Sequence, residues 1–244
     1  VEGVWEAQPY ATGEAAGPRR EERRTGLLSV RQWITGRTRV DARAGLDTWD
    51  GERRAVVTGG TVEQHLFDDR LTLAGAVDRW SSLGATDSFV SGAVTASFRS
   101  SRASRGVVVT AVARADAASA AAPLALWSGA GEGRGRPGLL RAHLMLYDGI
   151  IDASVFGRRS AVANLELQHW RPGTMAAIAL AAFADLGVAG DRFVSAPGRP
   201  FQADVGGGVR ARVPGQPGTF RLDYAHGVVD GSQRVTAGWN IELP

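Results

Sequence analysis

Few residues of this chain have the type and spacing to do chemistry. Gly133, Gly135 and Gly138 fall into a G-x-G-x-x-G spacing inside Ser128–Leu140, SGAGEGRGRPGLL. A dinucleotide site needs a strand before that spacing, a helix opening within it and an acid about twenty residues on. Asp148 and Asp152 are near that reach. However, AASAAAPLALW precedes the motif, Arg-Gly-Arg-Pro-Gly cannot begin a regular helix, and no βαβ unit is present. Asp223, His226 and Ser232 supply the residue types of a nucleophilic triad. In one strand, though, positions 223 and 226 have opposite parity and point to opposite faces, and no G-x-S-x-G elbow exists. His65, His143, His169 and His226 lack zinc spacing, and the absence of Cys excludes thiolate metal sites and disulfides. No enzyme activity, cofactor or metal is expected. The chemistry that remains is charge in confined places: Arg134, Glu166 and Asp185.

The elements that would position these residues are strands. The dominant period is two, over segments of about ten residues. In Arg37–Trp49 the even positions Thr38, Val40, Ala42, Ala44, Leu46 and Thr48 are small or apolar, while Arg37, Arg39, Asp41, Arg43 and Asp47 share the other face. In Phe201–Val213, Phe201, Ala203, Val205, Val209 and Val213 oppose Gln202, Asp204, Arg210 and Arg212. Further strands read near 1–10, 26–36, 53–64, 71–81, 88–99, 105–115, 160–170, 175–186, 219–227 and 233–243, about twelve in all. Connections at Thr35–Arg37, Ser100–Ser104, Arg171–Thr174 and Pro214–Gly218 are tight. The alternate ones at 11–25, 117–159 and 187–200 are long, and those at 50–52, 82–87 and 228–232 short. Sorting of this kind, together with alternating faces, predicts an all-β fold: an antiparallel transmembrane β-barrel of about twelve strands, one domain over 1–244 with a long extracellular loop at 117–159. Trp33, Trp49, Trp80 and Trp170 at strand ends fit an interfacial girdle.

The isoelectric point is 10.1, yet the formal charge is only +3 over 244 residues. Arg and acids are interspersed, so no nucleic-acid partner is expected. The tract Gly17–Gly26, GPRREERRTG, reads as a solvated loop. No apolar run is long enough for a transmembrane helix. The chain starts at Val1 without Met, so a removed signal peptide or a fragment is expected.

Three pieces occur in a telling order. Leu165-Glu166 lies in one strand, Phe183-Ala-Asp185-Leu-Gly187 has the form F-x-D-x-G in the next, and Thr236-Ala-Gly238-Trp-Asn-Ile241-Glu-Leu243 fits the polar-x-Gly-x-x-Φ-x-Φ signal on the last. The chain resembles the BamA/TamA group of outer-membrane surface antigens, in which a long loop carrying an Arg-Gly pair folds into the barrel and five strands follow. Here Gly133, Arg134 and Gly135 match that loop motif, although Gly133 replaces a branched residue and Arg136 an aromatic one. The resemblance implies a bacterial outer-membrane barrel that inserts or exports proteins. Its expected partners are outer-membrane lipid, unfolded outer-membrane or secreted protein substrates, and upstream POTRA domains if the chain is a fragment.

The residues support that carry-over. Glu166 shares a face with Asn164 and Gln168, and an unpaired Asp185 carboxylate in an apolar strand would be costly. An arginine from the loop would pair with one or both acids: Arg134 first, with Arg136, Arg141 or lumen arginines as alternatives. Gly238 would weaken the seam between last and first strands. The family barrel has about sixteen strands, eleven of them before the loop where seven are read here; a C-terminal fragment and a natural twelve-strand variant both remain open. The alternative function is an anchoring barrel or passive pore fused to an upstream enzyme domain such as a patatin-like hydrolase.

Overall fold

The structure, a computed structural model, describes residues 2–11, 18–103, 105–133, 139–151, 153–194, 201–213, 215 and 218–240. Seven long strands come first: β1 (Glu2–Tyr10), β2 (Arg19–Trp33), β3 (Thr38–Trp49), β4 (Arg53–Leu66), β5 (Leu71–Ser82), β6 (Phe89–Arg99) and β7 (Gly106–Ala118). An insert follows with six short strands: β8 (Ser128–Gly129), β9 (Gly131–Glu132), β10 (Leu140–Leu144), β11 (Leu146–Tyr147), β12 (Ile150–Ile151) and β13 (Phe156–Gly157). Five long strands close the chain: β14 (Arg159–Arg171), β15 (Ala177–Gly190), β16 (Gln202–Arg212), β17 (Thr219–Gly227) and β18 (Gln233–Asn240).

The long strands form one antiparallel meander in chain order, with β14 pairing directly to β7 across the insert. Among the described residues the strand count is eighteen, not twelve. Segments of two to five residues inside the insert are too short to show alternation in sequence. The described sheet is not closed by hydrogen bonds: β12 and β11 extend the β1 edge, and the ladder of β18 is with β17.

Burial runs opposite to a water-soluble sheet. On one face Ser160, Asn164, Glu166, Gln168, Asp185, Asp204, Arg210 and Asp223 are buried. On the other, Leu165, Leu167, Ile178, Leu180, Val205, Val209, Phe220 and Leu222 are exposed. A soluble antiparallel sheet packs its apolar face and wets its polar one. Each large apolar side chain left outside forgoes about 1.5–3 kcal/mol of burial in water.

Two further expectations need correction. The tract Gly17–Gly26 is not a loop throughout, since β2 begins at Arg19. Its charges have partners that the sequence could not reveal: Arg23 Nη2 lies 2.7 Å from Asp47 Oδ2, and Glu21 is buried under the insert. Three of the four girdle tryptophans, Trp49, Trp80 and Trp170, are buried on the inner face. Trp80 Nε1 donates to Asp47 at 3.0 Å and Trp170 Nε1 to Gln168 at 2.7 Å. Strand-end position is legible in sequence, but Trp49 and Trp80 meet their inward partners, Phe89 and Asp47, on other strands.

Candidate functional site

Strand β10 runs across the inner face of β15 to β18. The ladder places Asp185 directly opposite Asp204, and like charges in that position repel. The insert relieves the repulsion. The backbone N–H of Arg141 donates to Asp185 Oδ2 at 3.3 Å, and that of Ala142 donates to Asp204 Oδ2 at 2.7 Å. The Arg141 guanidinium lies 3.7 Å from the Phe183 ring centre. Its Nη2 is 2.8 Å from Glu166 Oε2, and Nε and Nη1 are each 3.4 Å from Asp185 Oδ2 and Asp223 Oδ2.

Arg210 is the second cation. It holds Glu166 bidentately, Nε to Oε1 at 2.9 Å and Nη2 to Oε2 at 2.8 Å, and donates through Nη1 to Asp223 Oδ1 at 2.5 Å. Paired guanidinium–carboxylate geometry of this kind is among the stronger polar contacts. Asn164 Nδ2 donates to Asp185 Oδ1 at 2.5 Å and Gln168 Nε2 to Glu166 at 2.7 Å.

His143 lies two residues beyond Arg141. Its Nδ1 is 2.9 Å from Asp204 Oδ1 and its Nε2 3.0 Å from Asp230 Oδ2. Burial pulls the imidazole pKa down, and the Asp204 and Asp230 carboxylates more than offset it, leaving the value above the ordinary one. Ser232 Oγ is 3.5 Å from His143 Nε2. The set Ser232–His143–Asp204 therefore has triad membership, but Asp230 Oδ2 faces the nitrogen that a base would use.

The other half of the insert grips the first strands. Glu21 accepts N–H bonds from Leu124 at 3.2 Å and Ala125 at 2.7 Å, at the 3-10 turn Leu124–Leu126. Arg53 donates to Ala121 O at 2.8 Å and Gln8 to Gly149 O at 2.6 Å. Tyr10 stacks on Phe156 at 5.3 Å, and Phe156 on Trp127 at 5.7 Å. The two ends of the meander are thus both tied to one insert, and among the described residues no ladder joins β1 to β18. Two chambers of about 250 and 240 Å³ flank it, the second lined by Arg99, Arg141, Glu166, Arg210 and Arg221.

Glu166 and Asp185 thus occupy the interior as expected. Their described cationic partners are Arg141, one of the alternatives left open by the sequence, and Arg210. Arg134 and Gly135 lie outside the described residues, as do Ile241 and Leu243. Gly133 is described, with φ of 122°, a backbone conformation that disfavours any side chain. Gly187 is a close-approach site: a Cβ there would sit 3.1 Å from Ala130 Cβ and from Leu140 Cδ1. Gly238 faces inward, where a Cβ would stand 3.2 Å from Arg221 Nε, and Arg221 is ion-paired with Glu132 of the insert. Thr236 shares that face, its hydroxyl buried. Sequence reasoning missed Asp204, Arg210, Asp223 and His143 as parts of one cluster. Parity places the first three on charged faces, but nothing in the sequence says which strands the insert crosses.

Comparison with known proteins yields little. No family model matches the chain, and no curated protein does. Among solved structures it is similar to one titled "NanC porin structure in rhombohedral crystal form", at 10% identity over 99% of each chain, with a TM-score of 0.33. A likeness at that level carries no argument about function.

Proposed function

We propose that this chain is a bacterial outer-membrane β-barrel of the surface-antigen type, which inserts or exports proteins rather than serving as an open pore. The inside-out burial supports the membrane reading, because a lipid environment rewards apolar side chains on the outer face and tolerates charge only inside. With tight turns on the periplasmic side, the insert enters from outside. The observation that carries the family reading is the docking of the insert: Arg141 lies on Phe183 and pairs with Asp185 and Glu166, while Leu140 packs on Gly187. These are the residues of the F-x-D-x-G and Leu-Glu strands. An interior occupied by such an insert argues against a passive channel. Substrate strands would engage the β1 and β18 edges.

The test is reconstitution. The chain in phospholipid vesicles should run as a heat-modifiable band on a gel and should speed the folding of a urea-unfolded outer-membrane protein relative to empty vesicles. A heat-modifiable barrel with no acceleration would refute the insertion reading and leave an anchor or pore. Absence of heat-modifiable migration would refute the barrel itself.

A further inference from the structure

The outward row of β14 reads Ala161, Ala163, Leu165, Leu167, His169, Arg171. It is apolar as far as Leu167 and turns basic over the last two ranks before the tight turn. His169 is in register with Val107 on β7 and Leu180 on β15, both exposed and apolar. Gly106 pairs with Trp170 in the last rung of that ladder, so Arg105, the residue before β7, lies at the same sheet end as Arg171, the last residue of β14. Both arginines are exposed. Arg102, on the same turn as Arg105, is paired with Asp69 at 3.3 Å. Among the described residues, Arg105, His169 and Arg171 have no ion pair. The three stand at the sheet end where the apolar row of β14 stops.

We propose that Arg105, Arg171 and His169 bind the phosphate of an anionic phospholipid in the leaflet at the tight-turn end, with its acyl chains lying over Val107, Leu167 and Leu180. The inference rests on the membrane reading above. At the level where hydrocarbon gives way to head groups, arginine stems lie along apolar surface while their guanidinium groups reach polar atoms. Guanidinium suits phosphate through paired N–H donors, and the imidazole adds a donor. The flanking apolar row selects an amphiphile over a soluble anion or an acidic protein.

The experiment uses the full chain refolded in detergent, restricted to samples with heat-modifiable migration, so that failure of the barrel reading is seen before any lipid is added. Native mass spectrometry then counts bound phosphatidylglycerol and phosphatidylcholine of matched acyl chains. The wild type should prefer the anionic lipid by about ten- to thirtyfold, the effect of two arginines near a charged surface. R105Q/R171Q should lose that preference with phosphatidylcholine binding unchanged, and R105K/R171K should retain part of it. Equal retention of the two lipids by wild type, or an unchanged preference in R105Q/R171Q, would overturn the proposal. Displacement by millimolar inorganic phosphate would overturn the lipid source in favour of a free anion. Stronger retention of an acidic peptide than of the lipid would reassign the patch to a protein partner.

Discussion

Replacing Arg141 by Met tests the docking of the insert most directly. Methionine keeps the length of the side chain and its contact with Phe183, and it leaves the N–H bonds of residues 141 and 142 intact. What it removes is charge. Four carboxylates, Glu166, Asp185, Asp204 and Asp223, face Arg141, Arg210 and His143. Without Arg141, those four acids, and Asp230 beside His143, face only Arg210 and His143. The Arg141 side chain is 7% exposed and those of Asp185 and Asp223 are fully buried, so solvent screens the loss very little. Removing one partner of a buried pair destabilises by about 3–5 kcal/mol. At 1.36 kcal/mol per decade this is about 10²- to 10³-fold in the docking equilibrium of the insert, or somewhat more. Amide hydrogen exchange of residues 140–145 in the refolded protein reads that equilibrium, with heat-modifiable migration as the control for the sheet. Asp185→Asn in the same chain should recover part of the loss, because it removes one of the stranded charges. Exchange of that segment within threefold of wild type in R141M would refute the idea that the salt-bridge cluster holds the insert.

Two other expectations follow from the same geometry. His143 has its pKa raised on folding, so its contribution is complete below about pH 6.5 and is lost as pH rises through the folded value. Exchange of residues 140–145, corrected for intrinsic rates, should accelerate from pH 6 to pH 9 in wild type. The acceleration should be smaller in H143Q; a pH response of unchanged size in H143Q would assign the titration elsewhere. At Gly187, Ala must displace Leu140 by a few tenths of an ångström and should cost less than about 1 kcal/mol, whereas Val should cost about 1–3 kcal/mol by overpacking. Protease susceptibility of the insert should rank wild type, G187A, G187V, and equal susceptibility of the first and last would show that the contact is not tight.

Much of the meander was legible. Alternation in Arg37–Trp49 and Phe201–Val213 depends only on the period of a strand, and β3 and β16 fall inside those segments. The opposite facing of Asp223 and His226 follows from parity alone, and Asp223 is buried while His226 is not. The tract Gly17–Gly26 and the rings of Trp49 and Trp80 differ from expectation because their partners, Asp47 and the insert for the tract, and Asp47 and Phe89 for the rings, lie on other strands. His143 offers the clearest case, since its position carries no motif and its environment comes from Asp204 and Asp230, 61 and 87 residues away.

The sequence by itself determined that the chain forms long antiparallel strands, that each has a charged face and an apolar one, and that Glu166 and Asp185 require a cation. Those facts reside in nearest-neighbour geometry, where successive side chains point to opposite sides. Only the tertiary structure decided that Arg141 and Arg210 supply the charge, and that one insert ties the first strands to the last. Those choices depend on where a 40-residue segment between β7 and β14 crosses the sheet, and close packing and charge pairing across the interior, rather than any local pattern, set that path.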